Sequence, residues 1–227
     1  MLNVQIAESL IGIIAFLMAY CISISFTGYI AAWVASKMGD DTPEQEGFLT
    51  LNPIVHIDIL GTLFLMFYRF GWSRFIPINP FNIQGRYRVI KIFTAFLTEP
   101  FAHFILGIIS IVCLLGIFGQ EILSDSVTHV FAQSSSYIFS IGLILIEFCE
   151  VNMLLAVIVC LINLCRLAVI IWTEKNPEYS IYANLIMFII PILLFYVFRS
   201  VIFALINILL QVGIQIGYLI ASLLHLF

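Results

Sequence analysis

Charge is what this chain has least of. Of 227 residues, 9 are Lys or Arg and 13 are Asp or Glu, so 10% are charged against 63% hydrophobic. Soluble domains carry about a quarter charged residues, and a mean hydropathy of +1.14 excludes an ordinary water-soluble globule. The net charge of -4 comes from few residues, and nucleic acid is not expected as a partner. The first 36 residues hold no Lys or Arg. Without a basic leader region, a cleavable signal peptide is not expected. The five cysteines (Cys21, Cys113, Cys149, Cys160, Cys165) are odd in number, lack Cys-x-x-Cys spacing and sit inside apolar runs. That excludes a disulfide framework and leaves small buried core residues. No fixed-period repeat or low-complexity tract divides the chain, so a single membrane domain over 1–227 is expected.

What the chain has instead is long apolar runs. Residues 9–36, 100–120, 179–198 and 200–227 contain no charge at all, and each is long enough to cross ~30 Å of hydrocarbon as a helix. Backbone polar groups in lipid must bond to each other, so helices are the natural form. The expectation is an all-α polytopic membrane protein with about six transmembrane helices, at 8–37, 57–70, 88–118, 136–170, 180–198 and 200–225. The second is short enough to be re-entrant or tilted, and the fourth, with Glu147, Glu150, Asn152 and Asn163, is a candidate for a break. If all six span, one side collects Arg69, Arg74, Arg86, Arg88, Lys91, Arg166 and Lys175, the other only Lys37 and Arg199. Basic residues stay in the cytoplasm, so this count puts both termini there.

The loop after the first helix carries a specific pattern: Gly47-Phe-Leu-Thr-Leu-Asn-Pro53-Ile-Val-His56-Ile-Asp58, then Gly61-Thr62, Phe70-Gly71-Trp72 and Pro77-Ile-Asn79-Pro80-Phe-Asn82. It resembles the compact bacterial branch of the site-2 protease family, membrane-embedded zinc metalloproteases that cut transmembrane substrates. The resemblance implies a site-2-protease-like core in a bacterial inner membrane. It also fixes a register in which Met38-Gly39-Asp40 stands for the family's Leu-Gly-Asp. Counting back, the family's His-Glu-x-x-His falls on Thr27-Gly28-Tyr29-Ile30-Ala31, so both histidines and the glutamate are replaced. Asn152 aligns with an Asn on the family's fourth helix, which puts the Leu-Asp-Gly motif at Arg166-Leu167-Ala168 and the missing aspartate at Leu167. Zinc hydrolysis needs about three N/O ligands and an open position for water, with a carboxylate to take the proton. Thr27, Gly28, Ala31 and Leu167 do not supply this set, so zinc is expected to be absent and the chain to be a pseudoenzyme.

Polar residues remain at membrane depth, where they mark function or a buried pairing. Glu99 and His103 are four apart on one helix, and Glu147 and Glu150 three apart on another. They read either as a substitute metal or acid–base site or, preferably, as a hydrogen-bonded interior. His56 and Asp58 read as loop anchors. Gly213, Gly217 and Ala221 form a small-residue stripe that permits close helix approach, within the chain or to a partner. The function expected is that of a pseudoprotease that binds or scaffolds other integral membrane proteins, as a homo-oligomer or a subunit of a larger complex. A metallohydrolase built on Glu99 and His103, and a transporter or channel component, are the alternatives.

Overall fold

The computed structural model describes residues 2–68, 71–119 and 136–224. Every regular element among them is helical: α1 (Leu2–Met38), the one-turn α2 (Thr42–Gln45) and α3 (Pro53–His56), α4 (Ile59–Tyr68), α5 (Arg88–Phe118), α6 (Ser136–Lys175) and α7 (Ser180–Leu223), which follows a 3₁₀ turn at Pro177–Tyr179. Arg69, Phe70, His129 and His225 lie outside the described residues.

Among the described residues, four segments are long and apolar enough to cross a membrane: Gly12–Met38, Arg88–Phe118, Ser140–Lys175 and Ser200–Leu223. This differs from the six-helix expectation in two places. The second expected helix is α4, whose 10 residues reach ~15 Å, half of the hydrocarbon thickness. The fifth and sixth are one helix, the 44-residue α7. The expected division fell at Arg199, yet a lone arginine interrupts hydropathy without interrupting backbone hydrogen bonds, and Arg is a good helix former. Nor is α6 broken: it runs for 40 residues.

The chain forms two compact units, one of residues 1–23, 103–153 and 207–227, the other of residues 24–102 and 154–206. The first is organised around Ile111, Leu115, Cys149, Met153 and Ala221. Its helices approach closely because two glycines make room for one flexible side chain. A Cβ at Gly107 or at Gly213 would each come within 2.7 Å of the Met153 Cε. In lipid, where apolar burial alone drives little helix association, such close packing is what holds helices together.

The second unit has two apolar clusters. One joins Ala31, Ala32 and Ala35 of α1 to Phe48, Ile76, Ile78, Ile83, Ala95, Phe96 and Leu167. The other joins Trp72 to Ile158, Ile162 and Ile202, with Phe64 and Phe75 packed on it. Between α1 and α5 the chain is mostly irregular, and its turns are set by local chemistry. At the end of α1 the Gly39 N–H donates to the Ser36 carbonyl and the Asp40 N–H to the Ala35 carbonyl, with Gly39 at φ 107°. This closes the helix in the left-handed turn that glycine adopts most easily. The Asp40 side chain, fully buried, then gathers four donors. Oδ1 accepts from the Thr42 N–H (3.2 Å), the Thr42 hydroxyl (2.6 Å) and Asn82 Nδ2 (2.9 Å), and Oδ2 from the Asn79 N–H (2.6 Å). One carboxylate thereby ties the end of α1 to the segment that precedes α5. Further on, Asn52 caps α3 by accepting the Ile54 N–H at 3.1 Å, and Asp58 accepts the Gly61 N–H at 2.6 Å as α4 begins. Gly61 lies so close to the Trp72 carbonyl that no side chain fits there.

Two substitutions test these joints. Asp40→Ala leaves buried donors unpaired and is expected to lower stability in detergent by about 3 kcal/mol. Gly61→Ala meets backbone that has nowhere to move and is expected to cost about 1–3 kcal/mol. Thermal unfolding of the purified variants measures both, and wild-type transition temperatures would mean that the joints are dispensable.

Candidate functional site

The residues that the register aligns with the family's catalytic positions occupy the second unit. Thr27, Ala31 and Leu167 are buried, at 0%, 1% and 5% exposure. Ala31 on α1 and Leu167 on α6 belong to one cluster with Phe96 and Ile76, although 136 positions (167 minus 31) separate them. Convergence at one place is what a shared ligand set would require, but methyl and isobutyl groups have no donor atoms for a metal. The residues present therefore do not fit zinc at this place, because the chemistry of the set is wrong.

Gly28 sits one helical turn from Ala31 and faces His56. A Cβ at Gly28 would collide with His56 Nδ1 and lie 2.7 Å from Cε1, so the imidazole rests directly on the helix backbone. The ring is held from several directions. Nε2 lies 2.8 Å from the Thr50 carbonyl, which can only accept, so Nε2 carries the proton and Nδ1 keeps its lone pair. The His56 carbonyl accepts the Arg74 N–H at 2.7 Å, and the Phe48 ring meets the imidazole edge-on at 5.7 Å between centroids. Fully buried, Nδ1 has no hydrogen-bond partner among the described residues. Burial is the main reason that the imidazole holds its proton less readily than its ordinary value of 6.5; the nearby Arg74 charge acts in the same direction and the Thr50 carbonyl opposes them.

The polar residues of the membrane helices form hydrogen-bonded sets. In the second unit, the buried Glu99 accepts from the Ser73 hydroxyl at 2.7 Å on Oε1 and from Asn163 Nδ2 at 3.4 Å on Oε2. Asn163 Nδ2 also donates to the Phe96 carbonyl at 3.0 Å. Its Oδ1 accepts from Arg166 Nη1 at 3.0 Å, while Arg166 Nη2 donates to the Ile76 carbonyl at 2.8 Å. The guanidinium carbon stands 4.8 Å from the Phe75 ring centroid, an attractive cation–π geometry. In the first unit His103 pairs with Asn152. Asn152 Nδ2 donates to the Phe148 carbonyl (2.8 Å) and the Ser23 hydroxyl (2.7 Å), which turns Oδ1 toward His103 Nδ1 at 2.9 Å. A carbonyl cannot donate, so the amide orientation is fixed and Nδ1 carries the ring proton.

Of the members of the substitute cluster, Glu99 bonds Ser73 and Asn163, and His103 bonds Asn152. Glu147 is half-buried and Glu150 exposed on α6, the latter lining a cavity of about 150 Å³ with Leu114, Cys149 and Ile214. Among the described residues, no group of three or more His, Cys, Asp or Glu is arranged to hold a metal ion. The stripe on α7 faces its own unit: Gly213 packs on Met153, Gly217 on Ile111, and Ala221 is fully buried. Sequence reasoning missed the parts played by Ser73 and Asp40. Both are short polar residues in an irregular segment, with no periodicity to mark which face is inside.

The His56–Gly28 contact has a pH signature. The unfolded chain takes up a proton near pH 6.5 that the folded chain resists, so the stability contributed here is complete above that value and declines as pH falls below it. Wild-type melting temperature in detergent is therefore expected to fall between pH 7 and pH 5 more than that of His56→Gln. Parallel profiles for the two proteins would remove His56 from the account. Gly28→Ala is expected to destabilise by about 1–3 kcal/mol through overpacking.

Comparison with known proteins gives one informative match. Over 95 residues the chain is 37% identical to the "Putative zinc metalloprotease YwhC" of Bacillus subtilis (strain 168), covering 41% of this chain and 42% of that protein. The match thus spans less than half of either protein. No family model matches the chain, and no solved structure matches it significantly. The similarity to a protein named as a zinc metalloprotease supports a site-2-protease-like relationship, in agreement with the loop motifs.

Proposed function

We propose that this chain is a membrane-embedded pseudoprotease, a site-2-protease-like scaffold that binds other membrane proteins without cleaving them. The observation that carries this reading is the apolar cluster in which Ala31 and Leu167 meet Phe96 and Ile76, at positions where the resemblance calls for zinc ligands. The His56 ring pressed on Gly28 adds to it, because the position of the family's proton-accepting carboxylate is filled by a loop residue. A hydrolase cannot run on this set, since neither a metal-activated water nor a base to deprotonate it is available from these side chains. The motif residues that remain are those with a structural task. Asp40, Asn52, Asp58, Gly61, Asn79 and Asn82 each cap, clamp or close a turn, and a scaffold that only binds still needs them.

The purified chain is expected to contain no stoichiometric zinc and, in mild detergent, to bring other integral membrane proteins down with it intact. Elemental analysis with about one zinc per chain, or purification of the chain always alone, would overturn this reading.

Four candidate spans support an orientation in a bacterial inner membrane. Segments 39–87 and 176–199 then share one side, and all nine Lys and Arg lie on that side or on the helix stretches leading to it; 119–135 has none. By the positive-inside rule that side is cytoplasmic. With six spans the same rule had both termini inside; with four it puts the start of α1 and the end of α7 outside. In a variant whose five native cysteines are replaced by serine, Glu46→Cys is expected to react with an impermeant thiol reagent only after the cells are permeabilised. Labelling in intact cells would reverse the orientation.

A further inference from the structure

The outer face of α5 in the second unit combines a hydrocarbon groove with a basic mouth. The groove has a volume of about 420 Å³ and runs along Val89, Ile90, Phe93, Leu97 and Phe101, within the roughly 300–1,000 Å³ of small-molecule sites. Two threonines also line it, and both have turned their hydroxyls away. Thr94 Oγ1 donates to the Ile90 carbonyl at 2.9 Å and Thr98 Oγ1 to the Thr94 carbonyl at 2.6 Å, so the groove meets only their methyl groups. From residue 89 to 101 a helix rises ~18 Å, close to the depth of one leaflet, half of ~30 Å.

Along the chain, Arg86, Arg88 and Lys91 flank Val89 and Ile90, the first residues of the groove. Arg88 and Lys91 are partly engaged by the Ile83, Pro80 and Gln84 carbonyls. Arg86 is exposed, stacks its guanidinium 4.9 Å from the centroid of the exposed Tyr87 ring, and has no hydrogen bond to the protein among the described residues. Tyr87 is also the single non-glycine residue with positive φ, 65°, among the described residues. From residue 59 to 98 the sequence has five basic residues and no acidic one, so nothing on this stretch neutralises the mouth.

We propose that this face holds one anionic phospholipid, with an acyl chain along the α5 groove and the headgroup phosphate on Arg86, assisted by Lys91. A guanidinium forks onto phosphate oxygens, and an aromatic ring beside it sits well at headgroup depth. A zwitterionic lipid fills the groove equally well but brings its own cation to a mouth that is already positive. This inference does not depend on the pseudoprotease reading.

Native mass spectrometry of the full chain tests it, using phosphatidylglycerol and phosphatidylcholine with identical acyl chains at equal mole fraction, and glycerol phosphate alone. The expected result is one phosphatidylglycerol retained per chain with about ten-fold preference. Arg86→Gln with Lys91→Gln is expected to abolish the preference, and Thr98→Trp, which fills the groove, to abolish retention of both lipids. Both variants alter exposed or half-exposed positions, and an unchanged melting temperature in detergent checks that they fold. The proposal fails if the two lipids are retained equally. It fails also if Thr98→Trp retains phosphatidylglycerol, which would mean diffuse charge attraction, or if glycerol phosphate displaces the lipid, which would mean a free-anion site.

Discussion

The second unit depends on keeping Glu99 and Arg166 satisfied away from water. The two groups are not paired directly. Asn163 stands between them, donating to the carboxyl group and accepting from the guanidinium, while Ser73 and the Ile76 carbonyl occupy their remaining faces. Leaving either polar group unsatisfied at membrane depth is costly, so the positions of α5, α6 and the irregular segment 73–76 are set together. That segment needs no regular structure of its own, because two fixed polar side chains hold it. The apolar clusters then pack around a geometry that the hydrogen bonds have already chosen.

Most of the helical architecture was legible in the amino-acid sequence, since uncharged runs of this length have one low-energy form in lipid. The expected 88–118 is α5 residue for residue, and the start of α6 at Ser136 agrees as well. The division of α7 was not legible, because hydropathy reports where a charge sits and not whether the backbone continues. The candidate site divides similarly. Ala31 and Leu167 share an apolar cluster, a contact across 136 positions that no local periodicity announces. The grouping of Glu99 with His103 came from helical spacing alone. Spacing states that two side chains leave a helix on the same face; it says nothing of the partners that each meets there, among them Ser73 and Asn163 for one and Asn152 for the other.

The loop between α1 and α5 shows how an irregular segment is held without regular structure. Its motif residues work by geometry: a left-handed turn at Gly39, a cap at Asn52, a carbonyl pressed on Gly61 and four donors on Asp40. None of these tasks refers to a metal. Alanine and leucine, as at Ala31 and Leu167, fill the interior without an unsatisfied polar atom.

The contact between Gly28 and His56 carries an evolutionary consequence. With the imidazole seated against the α1 backbone, position 28 accepts a side chain only after the ring has given way. The ring in turn is fixed by the Thr50 carbonyl and the Arg74 backbone. A single nucleotide change that put a larger residue at position 28 would therefore meet a fitness valley rather than a vacant socket. Glycine at this position is entrenched, and any path away from it runs through a paired rearrangement of helix and loop.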